Sequence, residues 1–181
     1  MSEAELAYRC GKGDNPARKE LYELYAGKML TLCVRYTGNV DVAYDLLHDG
    51  FLRAYASISS FSYKGEGSLR AWLSKVFINT SLEYLRKKDL LRATLPLESI
   101  EDVAGEEETT YDEVPADILM KLALELPPGY RTVFNLYVFE EWSHKEIAAK
   151  LHINERSSSS QLNRAKKLLM KKVYEYMNKK K

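Results

Sequence analysis

The chain has 181 residues, 45% of them hydrophobic and 29% charged, which allows one medium domain or two small ones and excludes a disordered or fibrous protein. The net charge of +1 hides a split: residues 89–115 carry nine acidic groups against one basic, and residues 156–181 carry nine basic against one acidic. That division points to an acidic connector and a basic surface for an anion such as nucleic acid, the alternative being a solvated linker and a tail that only aids solubility. No apolar run reaches the ~20 residues of a membrane span, and Met1-Ser2-Glu3-Ala4-Glu5 lacks the features of a signal peptide. A cytoplasmic protein with no membrane insertion is expected. Cys10 and Cys33 form no CxxC pair and stand in apolar helical contexts, so both are expected to be buried, reduced thiols.

Strand signals are nearly absent, and apolar residues recur at spacings of three and four, so the fold class is all-α. A short helix spans Leu6 to Cys10. Asn15-Pro16 opens a second, with Asn15 as N-cap and Leu21, Leu24, Tyr25, Met29 and Leu32 inward, ending at Gly38-Asn39. Asp41 to about Tyr55 is a third helix with Ala43, Leu46, Leu47 and Ala54 inward. Its outer side sets Asp45 and Asp49 beside His48, Leu52 and Phe51, the mixed composition of a protein docking surface. A solvated helix with Asp49 paired to Arg53 is the other reading.

Residues 57–68 form a Ser/Gly-rich loop that nevertheless holds Phe61, Tyr63 and Lys64. Aromatics and a lysine on a polar loop suit stacking on an unpaired base and pairing with phosphate, while Phe61 has the alternative of anchoring the loop in the core. A long helix follows from Leu69 to about Leu91, with Leu69, Trp72, Leu73, Val76, Phe77 and Tyr84 inward. A second stripe runs Lys75, Asn79, Leu82 and Arg86 into Lys87 and Lys88, a duplex-facing edge. Domain one therefore spans 1–91. Residues 92–116, with Pro96, Gly105, Pro115 and Glu106-Glu107-Glu108, read as a flexible acidic linker.

The second domain, 117–181, reads as a four-helix unit. Leu119, Leu122 and Leu126 stripe its first helix, stopped by Pro127-Pro128, and Tyr130 to Phe139 is the next, with Val133, Phe134 and Tyr137 inward. Ser143 and Glu146 make a capping box, Ile147, Ala148 and Leu151 share a face, and Asn154 caps a last helix from Glu155 to about Met177. This is a helix-turn-helix, the geometry that lays a second helix in a DNA major groove. Ser158, Leu162, Ala165, Leu169 and Val173 face in; Arg156, Ser159, Ser160, Asn163, Arg164 and Lys167 face out. No catalytic residue, metal site or cofactor is expected. His48, His144 and His152 have no ligand spacing, and no phosphate loop or nucleophile elbow occurs. His152 stands where the turn wants a positive φ.

Residues 41–55, Asp-Val-Ala-Tyr-Asp-Leu-Leu-His-Asp-Gly-Phe-Leu-Arg-Ala-Tyr, resemble the region-two core-binding helix of bacterial RNA polymerase sigma factors. Residues 69–88 resemble the promoter-melting helix that follows it. Leu126 to Phe134, Glu146 to Ala148 and Gln161 to Lys166 resemble region four. With only these two regions and a short linker, the chain is similar to the extracytoplasmic-function (ECF) type.

The resemblance implies a non-enzymatic initiation factor whose partners are core RNA polymerase and promoter DNA, both double-stranded and melted. Asp45, His48, Asp49, Phe51 and Leu52 would dock the polymerase. Phe61, Tyr63, Lys64, Lys75, Asn79, Arg86 and Lys87 would serve the downstream promoter element, the loop capturing a flipped base. Arg156, Ser157, Ser159, Ser160, Asn163, Arg164 and Lys167 would read the upstream element. An anti-sigma factor is expected to cover the acidic-apolar face or to clamp the domains together. Departures from the family pattern are Ile78 in place of the Arg before Asn79, the loss of Gly at Glu141, His152 and Arg156, and Arg156-Ser157-Ser158-Ser159-Ser160-Gln161 where the family has Gly-Thr-Val-Lys-Ser-Arg. A helix-turn-helix repressor or activator, and a helical scaffold that does not bind DNA, are the competing classes. Arginine at Asp45 would separate the first of these, and the salt dependence of DNA affinity the second.

Overall fold

The structure, a computed structural model, describes residues 1–92 and 114–179. All regular elements among these are helical. They separate into two compact units, Met1–Lys88 and Asp89–Lys181.

The first unit is built from α1 (Glu3–Gly11), α2 (Asn15–Thr37), α3 (Val40–Ser57) and α4 (Ser68–Lys87). Short polar side chains open three of them. Ser2 Oγ accepts from the Glu5 amide, Asp14 Oδ1 from the Ala17 amide and Asn39 Oδ1 from the Val42 amide. The α2 cap is thus Asp14 and not the expected Asn15, because Arg9 also holds the Asp14 carboxylate, at 2.8 Å. Gly38 ends α2 at φ 66°. No side chain caps α4 locally. Its first turn is served from a distance by Glu3, whose Oε2 accepts from the Leu69 amide at 3.3 Å while Oε1 accepts from Tyr25 Oη at 3.0 Å.

The core runs down α2 through Leu21, Tyr25, Met29, Leu32, Cys33 and Tyr36, and Leu24, expected inward, is 55% exposed at the edge of that stripe. Cys10 and Cys33 are free and buried, and burial pushes the Cys33 thiol up to about 11. Helix α4 is buried on two adjacent sides. Leu69, Leu73 and Phe77 make one apolar stripe, and Ile78, Leu82 and Leu85 make a second at i, i+4 and i+7. Leu82 therefore leaves the outer stripe assigned to it. Ile78 faces the core, so the position is not turned toward a phosphate.

The second unit holds α5 (Ala116–Leu124), α6 (Pro128–Phe134), α7 (His144–Leu151) and α8 (Glu155–Asn178). Its core joins Leu126, Tyr130 and Ala165, with Phe134 and Leu168 against them. Arg131 is buried and donates from Nη1 to the carbonyls of Leu124 (2.6 Å) and Leu126 (3.1 Å), satisfying the end of α5. The helix expected over Tyr130 to Phe139 starts earlier and changes pitch. Residues Asn135–Phe139 form one π-helical turn, closed by the Glu140 amide on the Asn135 carbonyl at 3.2 Å. The wider turn shifts the register, burying Leu136 and leaving Tyr137 38% exposed, contrary to the inward position expected for it.

The boundary between units also differs from the expected 91/92. Helix α4 ends at Lys87, and a 3-10 turn over Leu90–Arg92 belongs with the second unit. Gly129 makes this possible: a Cβ there would lie 2.6 Å from the Leu91 carbonyl oxygen. Most of the linker, residues 93–113, lies outside the described residues, as do Lys180 and Lys181.

Candidate nucleic-acid interface and docking face

Asp45, His48, Asp49 and Leu52 share the outer side of α3, and all four are exposed, Leu52 at 67%. Tyr44, half exposed, extends the same helix surface. Arg53 does not neutralise this face through the i,i+4 bond to Asp49 considered above. It pairs with Glu83 on α4, and Lys87 joins the same carboxylate at 2.8 Å. Those two bonds hold the Glu83 carboxyl down at about 2, Arg53 being the larger influence. Phe51 is the exception among the predicted docking residues. It is 3% exposed and packs in the core, its ring 4.8 Å from Tyr22 and 5.2 Å edge-on from Phe77. A Phe at i+2 from Asp49 falls on the opposite side of a helix, so Phe51 supports the face from behind.

The close approach of α3 to α4 rests on Gly50. A Cβ there would lie 2.2 Å from a Phe77 ring carbon. Glycine inside a helix costs about 1 kcal/mol relative to alanine, so its place at this crossing reflects packing.

After α3 a 3-10 turn, Ile58–Ser60, leads into the loop. Phe61 is half-buried with its ring 5.7 Å from Trp72, so it anchors the loop while keeping an open edge. Tyr63 and Lys64 are exposed. The end of the loop closes on itself: Ser68 Oγ donates to the Gly65 carbonyl at 2.6 Å and accepts from the Lys64 amide at 3.2 Å, with Gly65 and Gly67 at φ 115° and 83°. Along α4, Lys75, Asn79 and Arg86 are exposed at i, i+4 and i+11, a polar edge beside the doubly buried sides. Lys87 is exposed too, with its charge engaged by Glu83.

In the second unit the predicted capping box is present. Ser143 Oγ accepts from the Glu146 amide at 3.2 Å, and the Glu146 carboxylate accepts from the Ser143 amide at 2.8 Å. Helix α7 ends at His152 with φ 56° and ψ 43°, and Glu141 has φ 55°, so two of the positions where the family has Gly do require left-handed backbone. Arg156 is an ordinary residue of α8. Asn154 Oδ1 accepts from the Ser157 amide at 2.7 Å, starting α8 where expected. Ser158, Leu162, Ala165, Leu169 and Val173 are all buried. Arg156, Asn163 and Lys167 are exposed, and Ser157, Ser159, Ser160 and Arg164 are half-buried. The buried Ser158 meets His144 Nδ1 at 2.9 Å, and the His144 ring stacks on Tyr137 with centroids 4.7 Å apart. This polar clasp joins the start of α7 to α8, and no spacing in the sequence announces it.

Two further surfaces escaped the sequence reading. An apolar groove of about 560 Å³ runs along Leu119, Met120, Ala123, Phe134 and Leu169, which explains why the α5 stripe is only half-buried. A smaller cavity lies between α1 and the 58–63 segment of the first unit. Among the described residues, no group of three or more His, Cys, Asp or Glu is placed to hold a metal ion, and no helix is long and apolar enough to cross a membrane.

Two helical units, one with an acidic-apolar face and an aromatic loop, the other a helix-turn-helix, have the organisation of a bipartite transcription factor. The models of Sigma-70 region 2 and Sigma-70 region 4 match residues 21–90 and 116–169. The ECF RNA polymerase sigma factor SigW of Bacillus subtilis is 30% identical over 178 residues, covering 90% of this chain and 91% of that protein. The ECF RNA polymerase sigma-E factor of Haemophilus influenzae is 25% identical, with 98% of each chain covered. A solved sigma factor RpoE from Bartonella quintana, in complex with the anti-sigma factor NepR, shares the fold with a TM-score of 0.50 at 21% identity, covering 84% of this chain and 94% of that one. The chain belongs to the ECF sigma factors. It is a non-enzymatic factor of transcription initiation with regions two and four.

Proposed function

We propose that this chain binds core RNA polymerase and directs it to a specific set of promoters in the cytoplasm. The observation that carries the docking assignment is the outer side of α3, where Asp45, His48, Asp49 and Leu52 stand exposed together while Arg53 is drawn away to Glu83. Exposed acids around a 67% exposed leucine form a surface that a basic-apolar partner buries. An anti-sigma partner would cover the same face and compete with polymerase for it.

Three roles divide between the units. The loop with Phe61, Tyr63 and Lys64 takes an unpaired base of the downstream element, which costs least where the duplex is weak. Lys75, Asn79, Arg86 and Lys87 follow its backbone and bases. Arg156, Ser157, Ser159, Ser160, Asn163, Arg164 and Lys167 of α8 enter the major groove of the upstream element. Ser159 and Gln161 stand where the family pattern has Lys and Arg, and Arg156 adds a basic group where it has Gly, so the upstream bases read differ from those of the family pattern.

Transcription with purified core polymerase on a genomic library tests the function. Start sites absent from core alone are expected, and no initiation above core would refute it. Asp45→Arg turns a negative charge of the docking face into a positive one that repels a basic partner; it is expected to abolish capture of core while leaving the helical circular dichroism unchanged. Retained capture would remove α3 from the interface.

A further inference from the structure

Helix α1 lies ahead of residue 21, where the match to Sigma-70 region 2 begins, and no motif of the sequence assigns it a role. Its two ends bracket the aromatic loop. Gly11, at the C-terminal end, lies against the 3-10 turn that leads into the loop; a Cβ there would be in van der Waals contact with the Ser59 Cα at 3.5 Å. Glu3, at the N-terminal end, meets the exit of the loop through the Leu69 amide at 3.3 Å. The two contacts stand roughly 12 Å apart along α1, at the helical rise of about 1.5 Å per residue. Phe61, Tyr63 and Lys64 belong to the stretch of chain between them.

Glu3 is held from behind. Its other carboxylate oxygen accepts from Tyr25 Oη at 3.0 Å, and Tyr25 is buried in the core of the unit. Burial, and after it the bond to Glu3, pushes the Tyr25 phenol up to about 12, so it remains a donor throughout the neutral range. The exit of the loop has no local substitute for this carboxylate. Gly67 occupies the N-cap of α4 in left-handed backbone with no side chain to offer. The Ser68 amide bonds the Gly65 carbonyl at 3.2 Å, and the Ser68 hydroxyl is turned back into the loop. A carboxylate at the first turn of a helix also meets the positive end of the helix dipole. The contact therefore fixes where α4 begins relative to α1, and with it the span that the loop must cover.

We propose that Glu3 is a positioning residue for promoter opening, which from α1 sets the distance between the two ends of the 61–67 loop and so holds Phe61 and Tyr63 in register for the melted strand. Glu3 itself touches no DNA. This role rests on the reading of the loop as the part that takes an unpaired base, and it extends the downstream machinery to a helix outside the matched region.

The test uses holoenzyme assembled from the full chain and core polymerase, and fork-junction DNA built on a promoter recovered from the genomic library. One fork is intact; the others carry an abasic nucleotide at one unpaired position each. Glu3→Ala is expected to weaken binding of the intact fork about five- to fiftyfold, the range for leaving a charge-assisted bond unmade. Glu3→Gln keeps the shape and one acceptor oxygen, so it should fall between Glu3→Ala and wild type. The loss should vanish on the fork whose abasic position removes the base that the loop takes, because a misplaced loop has nothing left to lose there. Capture of core should be unchanged.

Wild-type affinity of both variants on the intact fork would overturn the proposal. So would an equal loss on every fork, which would assign Glu3 to the stability of the unit alone, and so would a loss confined to capture of core, which would assign α1 to the polymerase. If Phe61→Ala weakens the intact fork while Glu3→Ala does not, the positioning role fails and the loop reading stands. If no abasic position weakens the unaltered holoenzyme, base capture fails and the positioning role fails with it.

Discussion

Replacing Gly50 by alanine adds one methyl where α3 crosses α4. The new carbon would sit 2.2 Å from Cε1 of Phe77, more than an ångström inside the 3.4 Å at which ordinary contact begins, and 2.6 Å from two neighbouring ring atoms. The ring has nowhere to retreat. Phe77 is fully buried and meets Phe51 edge-on at 5.2 Å, and Phe51 in turn packs on Tyr22 and on Tyr55, at 5.9 Å. Overpacking costs about 1–3 kcal/mol, and a clash this deep against a fully buried ring belongs in the upper part of that range, about 2–3 kcal/mol. Alanine recovers up to about 1 kcal/mol of helix propensity. A net destabilisation of about 1–2 kcal/mol follows, or a midpoint lower by roughly 5–15 °C for a unit of this size. Trp72 reports on the first unit and Trp142 on the second, so Trp72 fluorescence in a Trp142→Phe background isolates the transition. Phe77→Leu should return part of the lost stability to Gly50→Ala, because the two changes share one contact. An unchanged or raised midpoint for Gly50→Ala would mean that α3 and α4 are not spaced by this glycine, and the docking face would lose its explanation.

Two other perturbations probe local devices. His152→Gly removes a side chain from left-handed backbone at φ 56°; it should stabilise the second unit by about 0.5–1 kcal/mol in urea denaturation, and a loss would show that the imidazole makes a contact worth more than the strain. The Glu83 carboxyl, normally near 4.5, is held at about 2 by Arg53 and Lys87. Its folded value lies below its unfolded one, so the stabilisation is complete above pH 4.5 and is lost as pH falls toward 2. Stability of wild type relative to Glu83→Gln should therefore narrow on acidification through that window; a constant difference would contradict the ion pair.

Periodicity and capping chemistry were readable before any coordinates, because they act over three or four residues. The all-α class, the Ser143–Glu146 box, the Asn154 cap and the five inward residues of α8 all follow from such local rules. So does the positive φ at His152, where the turn between two helices leaves the backbone one conformation. Matching of motifs along the chain extended this to the family and to the exposed side of α3.

What needed the tertiary structure depends on partners distant in sequence. Phe51 belongs to the core because Gly50 lets Phe77 come close, and Leu82 because Ile78 and Leu85 give α4 a second buried side. Tyr137 is turned outward by a π-helical turn that leaves no mark in apolar spacing. Asp14 displaces Asn15 as a cap because Arg9 arrives from the preceding helix. Residues 90–92 join the second unit because Gly129 admits a carbonyl. Glu3 is 66 residues from Leu69, and only the packing of α1 against the loop brings them together. Short-range preferences settle which elements form; the faces they leave open are settled by long-range packing, and function resides on those faces.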